Sequence, residues 1–144
     1  MPVSFPHFPN SLQEPFTETS KFDPSYNCIA WAATDSNKWY EPDPDGLYFW
    51  PSEVPREYSI YAYVELYQHL GYVLCDNGEY EEGYEKVAIF SSDMITTSHA
   101  ARQLDANNWT SKLGPDIDVS HSIFSISNGY YGQVVQFLKR AIAI

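Results

Sequence analysis

The hydrophobic period of the chain changes near residue 86, and this change limits the folds that it can adopt. Between residues 57 and 70 apolar side chains recur at helical spacing, and Gly71 supplies a stop signal. From Lys86 onward the period is that of strands, over residues 86–90, 98–104, 109–113 and 132–139. We therefore predict an α+β fold, with helices packed on an antiparallel sheet of four or five strands.

A further helix signal begins at Cys28, after Asn27, a residue type that caps helices. The following residues, 29–33, are apolar apart from the indole nitrogen of Trp31. A thiol at a helix N-terminus lies near unpaired N–H groups and the positive end of the helix dipole, and both favour the thiolate. Cys28 is therefore a candidate nucleophile, although a free cysteine in an apolar helix is more often a core residue.

Residues 1–24 combine several prolines with several phenylalanines. The prolines exclude a long helix there, and the aromatic residues argue against a disordered tail. We expect an extended arm that packs its rings onto a single domain spanning residues 1–144, a length typical of one domain. The loop over residues 37–55 also holds many rings, which either cover the core or form a binding wall.

The charge of the chain excludes two classes of ligand. Its 19 acidic and 8 basic residues give a formal net charge of -11. Nucleic acids and anionic membrane surfaces both require basic clusters, so neither is expected as a partner, whereas a basic protein is. The sequence shows no apolar run of membrane-spanning length and no signal peptide. The two cysteines are expected to be reduced. Together these features indicate a cytoplasmic protein.

Several motifs resemble those of an uncharacterised bacterial family of unknown function. They are Asn27–Ala32, His99–Leu104, Trp109–Gly114, Asp116-Ile117 with His121, and Tyr131-Gly132. These motifs are also similar to those of papain-like cysteine hydrolases of the NlpC, CHAP and transglutaminase-like types. In that superfamily a cysteine at a helix N-terminus precedes a histidine that enters a strand.

The resemblance implies that Cys28 is the nucleophile and His99 its general base. A polar residue that orients the imidazole would complete the site. The candidates for this third role are Ser111, Asp116, Asp118 and His121.

Three further residues, together with His121, are candidates for oxyanion or substrate contacts. Asn27 would supply a second oxyanion donor, or would only cap the helix. Lys112 would bind a substrate carboxylate, or would be a surface strand residue. Trp31 and His121 complete the set, with helix capping as the simpler role for His121. The chain shows no closely paired metal ligands and no glycine-rich phosphate loop, so neither a metal nor a cofactor is expected.

Two functions follow from these features. The first is a cysteine-dependent amide hydrolase or acyl transferase (a peptidase, amidase or deamidase) that attacks a protein or peptide-like amide to give a thioester. The second is a catalytically inactive acidic binding protein, such as an immunity or inhibitor protein, that occupies a basic partner. The two are distinguished by whether the Cys28 sulfur lies beside the His99 imidazole.

Overall fold

A computed structural model describes residues 2–3, 7–20, 25–35, 37–106, 108–113 and 117–142. Within these residues one antiparallel sheet of eight strands dominates the fold. The strands are β1 (Pro2–Val3), β2 (Phe16–Ser20), β3 (Val73–Cys75), β4 (Tyr84–Ser91), β5 (His99–Gln103), β6 (Trp109–Lys112), β7 (Asp118–His121) and β8 (Gln133–Ala141). Their order across the sheet is β1-β2-β7-β6-β5-β4-β8-β3.

The helices are short, and each begins at a polar cap. They are α1 (Cys28–Ala32), α2 (Ile60–His69) and α3 (Ile123–Ile126), and a 3-10 turn covers Pro9–Leu12. Ser59 caps the start of α2, and its hydroxyl accepts a hydrogen bond from the Ala62 N–H at 3.1 Å. The helix ends before Gly71, which adopts a φ of +97° that other residues rarely tolerate.

The sheet separates two apolar cores, because successive side chains of a strand point to opposite faces. On one face, α1 and α2 pack against a core that includes Val87, Ile89, Ala100 and Leu138. The core on the other face contains Phe8, Phe16, Ala88, Phe90, Ala101, Trp109, Val119, Ile126 and Tyr131. Full burial of a large apolar side chain such as Leu66 stabilises the fold by roughly 1.5–3 kcal/mol, so each core contributes substantially.

The predicted papain-like fold is wrong. A sheet of eight strands, rather than four or five, forms the body of the domain, and α1 spans only Cys28–Ala32. Three unpredicted strands, β1, β2 and β7, account for much of the difference. β2 lies within the N-terminal arm, and it pairs with β7, a segment expected to be loop.

The N-terminal arm is part of the sheet rather than an addition to it. Thr17 and Glu18 of β2 pair with Ser120 and Val119 of β7. Phe8 and Phe16 are buried in the core away from α1 and α2, as expected of rings in this arm. The phenylalanines at positions 5 and 22 lie outside the described residues.

Candidate functional site

Asn27 is held as a helix cap by hydrogen bonds to the chain around it. Its Oδ1 accepts from the backbone N–H groups of Ala30 and Tyr40, both at 3.2 Å, and its Nδ2 donates to the Tyr40 carbonyl at 2.7 Å. The side chain thereby joins the start of α1 to the loop that follows. These hydrogen bonds are those of a helix cap, and they use one of the two N–H groups of the Asn27 amide.

The environment of Cys28 favours a neutral thiol. Part of the residue reaches the surface, but its sulfur is enclosed by protein, and burial raises the pKa of the Cys28 thiol to about 11. Hydrogen bonds from the backbone of Ala100 and of the first turn of α1 lower the pKa, but they do not offset the burial. The thiolate expected at a helix N-terminus is therefore scarce near neutral pH.

His99 lies on the opposite side of the sheet from Cys28. The neighbouring residue, Ala100, faces α1, so His99 faces the other core. There its ring stacks on Tyr131, with centroids 3.8 Å apart and an interplanar angle of 2°. The contact between thiol and imidazole that a papain-like pair requires is not formed.

His99 belongs instead to a buried chain of three polar side chains with Ser111 and His121. The Ser111 hydroxyl lies 2.8 Å from Nε2 of His99 and 2.6 Å from Nε2 of His121. Nδ1 of His121 lies 2.8 Å from the Ser122 carbonyl, which only accepts, so we assign the His121 proton to Nδ1. The Ser111 hydroxyl then donates to His121 and accepts from the Nε2–H of His99.

This proton assignment leaves one buried acceptor. Nδ1 of His99 has no hydrogen-bond partner among the described residues. Burial lowers the pKa of His99 well below its ordinary value, with His121 adding to the effect, and burial lowers that of His121 to about 4. Both rings are neutral near pH 7, and all three side chains are enclosed, so a substrate cannot reach them.

A second buried polar cluster lies on the face that carries α1. Lys112 is fully buried, and its ammonium group lies 4.5 Å from the centre of the Tyr26 ring. The Tyr26 hydroxyl donates to Asp118 at 2.6 Å, and Asp118 is the cross-strand neighbour of Lys112. Lys112 is thus neither the expected surface residue nor an exposed contact for a substrate carboxylate. Asp116 lies outside the described residues.

Trp31 connects α1 to the middle of the sheet. Its indole N–H donates to the Thr110 hydroxyl at 3.2 Å, and the Arg102 guanidinium lies 4.3 Å from its ring centre. Trp31 therefore binds the sheet rather than a group beside the Cys28 sulfur. The described structure brings Ser111 together with His99 and His121, but it does not bring Cys28 or Lys112 to that group.

Three of the exposed rings lie among carboxylates on a surface that we call the acidic aromatic face. It comprises Glu41, Tyr48, Glu57, Tyr58, Tyr61, Glu65 and Ile95. Residues 59 and 60 contact residues 95 and 96 through backbone pairing, which brings Ile95 to the start of α2. Tyr61 is 62% exposed and Ile95 is 70% exposed, so large apolar groups here lack a covering layer.

The rings of the loop over residues 37–55 are divided between the core and the surface. Tyr40 and Trp50 are buried, whereas Tyr48 and Phe49 are 42% and 40% exposed. The clustering of rings in residues 37–55 was visible in the sequence, but their division between core and surface depends on how the loop folds back.

Neither a metal centre nor a membrane span is found in the part of the chain that the structure describes. No group of three or more His, Cys, Asp or Glu side chains there is placed to hold a metal ion. None of the described helices has the length and apolar character needed to cross a bilayer.

Comparison with known proteins places the chain in a family without assigning an activity. No curated protein and no solved structure is significantly similar to it. The predicted membership of an uncharacterised family is confirmed, whereas membership of the papain-like superfamily is not shown. Residues 17–139 match a single family model, and the chain therefore belongs to the family described as "Domain of unknown function (DUF7689)".

Proposed function

We propose that this protein is a non-catalytic binding protein whose acidic aromatic face takes up a basic protein segment. The observation that carries the proposal is the exposure of Tyr48, Tyr58, Tyr61 and Ile95 among carboxylates on one surface. Tyrosine is enriched in protein interfaces because it offers a large apolar area together with a polar hydroxyl.

The charge around these rings has one dominant sign. Residues 41–65 contain six carboxylates and one basic residue, Arg56. The Arg56 guanidinium is occupied by Asp43, at 3.0 Å. Glu57 and Glu65 flank Tyr61, and both raise the pKa of its phenol, Glu65 through a hydrogen bond. A partner with lysine or arginine side chains would find the complementary charge next to apolar contacts.

The face is ordered by its own hydrogen bonds. The Tyr58 hydroxyl donates to Glu41 at 2.7 Å, and this hydrogen bond, with burial, raises the pKa of Tyr58 to about 12. Asp43 accepts from the backbone N–H groups of Leu47 and Tyr48, at 2.8 and 3.2 Å. A surface ordered before binding loses less conformational entropy when a partner docks.

The hydrolase hypothesis has less support. It requires a thiolate beside an imidazole, whereas the Cys28 thiol has a raised pKa and His99 lies across the sheet. The buried Ser111–His99–His121 chain does not replace that pair, because no substrate reaches it.

The test is selection of a displayed random-peptide library against the purified protein. We expect the enriched peptides to carry net positive charge and to lose affinity as salt concentration rises. Tyr61→Ala and Glu57→Lys should each weaken binding of an enriched peptide at least tenfold, as expected for central interface residues.

Matched control variants lie elsewhere on the surface. Tyr130 is 69% exposed, and Glu82 is also exposed, so Tyr130→Ala and Glu82→Lys remove similar groups outside the acidic aromatic face. Neutral or acidic enriched peptides, or equal losses in the control variants, would contradict the proposal.

A further inference from the structure

A cavity of about 250 Å³ lies where the start of β4, the end of β5 and the end of β8 come together. It is separate from the acidic aromatic face. The residues that matter for its chemistry are Tyr80, Tyr84, Glu85, Arg102, Leu104 and Ile142. Half of the lining residues are aromatic or aliphatic, and Arg102 brings a cation into the wall.

The Arg102 guanidinium is held in place but is not paired. It lies over the Trp31 ring, with 4.3 Å between its central carbon and the ring centre. It forms no hydrogen bond or ion pair with any other residue of the described chain. Burial lowers the pKa of Arg102, which reflects lost hydration of the guanidinium, although arginine remains charged near pH 7.

In lacking an ion pair, Arg102 differs from the other two arginines of the chain. Among the other basic side chains, Arg56 pairs with Asp43, Arg140 with Glu85, and both Lys86 and Lys139 with Glu81. No carboxylate of the described residues lies within 4.0 Å of the Arg102 guanidinium, and Glu85 and Asp118 act on its pKa only from a longer distance. A partly desolvated guanidinium that keeps its N–H groups free is suited to an external anion.

We propose that this cavity binds a small monocarboxylate with an apolar body. The planar guanidinium presents two parallel N–H groups that match the two oxygens of a carboxylate. The contact with the Trp31 ring restricts the movement of the guanidinium before the ligand arrives. The rings of Tyr80 and Tyr84, with Leu104 and Ile142, would contact the apolar body.

The charges in the cavity favour a monoanion over a phosphate dianion. Glu85 also lines the cavity, and its carboxylate lies 2.6 Å from Nε of Arg140. That ion pair neutralises Glu85 only locally, so a doubly charged ligand would meet repulsion that a single free cation does not balance. A volume of about 250 Å³ equals about eight waters at roughly 30 Å³ each, which fits a ligand of about ten non-hydrogen atoms.

The experiment is an NMR titration of the full chain with phenylacetate, compared with phenylacetamide and benzyl phosphate. We expect phenylacetate to bind with a dissociation constant on the order of millimolar, as befits so small a ligand, and to shift the resonances of Tyr84 and Leu104. Phenylacetamide has the same shape without the charge, and it should bind at least tenfold more weakly, as should benzyl phosphate.

Two variants assign any binding to Arg102. Arg102→Gln should weaken phenylacetate binding at least tenfold, whereas Arg56→Gln, which removes an arginine already paired with Asp43, should leave it unchanged. Leu104 is 48% exposed at the cavity, so Leu104→Asp adds a negative charge without touching the Trp31 stack, and it should also abolish binding. That variant keeps the test decisive if Arg102→Gln does not fold.

A peptide arm distinguishes a free acid from the end of a protein chain. A tripeptide that ends in phenylalanine is titrated with its C-terminus free and with it amidated. Binding by the free form alone would identify a C-terminal carboxylate as the ligand type, and binding by phenylacetate alone would identify a small acid. No binding by either acid, or equal binding by wild type and Leu104→Asp, would refute the proposal.

Discussion

Acidification should destabilise this protein through its two buried histidines, well above the pH at which carboxylates titrate. His121 is buried and neutral, and its pKa falls from an ordinary 6.5 to about 4 in the folded state, because burial disfavours the imidazolium. In the unfolded state the ring regains its ordinary pKa. Its contribution to stability is therefore complete above pH 6.5 and is lost as the pH falls toward 4.

The size of the effect follows from the two pKa values. A pH of about 5 lies about 1.5 units below the pKa of the His121 ring in the unfolded state. Each unit is worth about 1.4 kcal/mol, so His121 lowers the free energy of unfolding by about 2 kcal/mol at this pH. The pKa of His99 is also lowered, by burial and by His121, so its cost has the same sign. Together the two rings should lower the free energy of unfolding between about pH 7 and about pH 5 by more than the roughly 2 kcal/mol that His121 alone costs.

Urea unfolding across this pH range measures the effect. His121→Gln should remove about 2 kcal/mol of the pH-dependent loss, whereas His69→Gln, at an exposed position in the last turn of α2, should leave it intact. The pH slope is the readout, because His121→Gln also changes packing against Phe16, whose ring centre lies 5.7 Å away. A free energy of unfolding that is constant within about 1 kcal/mol, or an unchanged slope in His121→Gln, would refute the assignment of neutral buried rings.

Three further predictions concern single positions. Ser111→Ala leaves two buried groups without a partner, the Nε2–H of His99 and the Nε2 acceptor of His121. It should lower the free energy of unfolding, measured with urea, by about 3 kcal/mol, well above the loss in Ser120→Ala on the neighbouring strand. The Cys28 thiol, with its pKa raised to about 11, should react with iodoacetamide more slowly than a free thiol from neutral pH upward; rapid alkylation that persists near pH 6 would restore the ion-pair hypothesis. Gly132 has a φ of +80°, and a Cβ there would overlap the end of β4, whereas Gly83 has a φ of +88° and open space around it. Gly132→Ala should therefore lower the melting temperature more than Gly83→Ala does. Equal shifts would contradict the expected overlap.

The local elements were largely readable from the sequence, because their periodicity comes from burial on one side. The helix expected over residues 57–70 is observed as Ile60–His69, and the strand expected over residues 98–104 is observed as His99–Gln103. The alternation of β5 also placed His99 and Ala100 on different faces. Period-2 patterns give the two faces of a strand, and this information is local.

Long-range pairing was not readable, and it decided both the fold and the site. The segment Phe16–Ser20 contains mostly polar residues, and it becomes a strand because β7 pairs with it from a hundred residues further along the chain. No local pattern tells which face of β5 the Cys28 helix will cover. The order Cys28 then His99 suggested a pair, but the helix covers the face of Ala100, and the sheet separates the two side chains. That Arg102 has no ion-pair partner becomes apparent only when all its neighbours in the folded structure are known.

The position of β8 has a consequence for how the chain is made. β8 is the final strand in sequence, yet it lies between β4 and β3, and β3 has no other strand partner in the described sheet. A chain still being synthesised that has not reached residue 133 therefore exposes the open edge of β4 and leaves β3 unattached. Exposed strand edges invite pairing with other chains, and contacts between distant segments form slowly. The sheet can be completed only after residues 133–141 have been translated. Until then, the open edge of β4 must be kept from pairing with other chains.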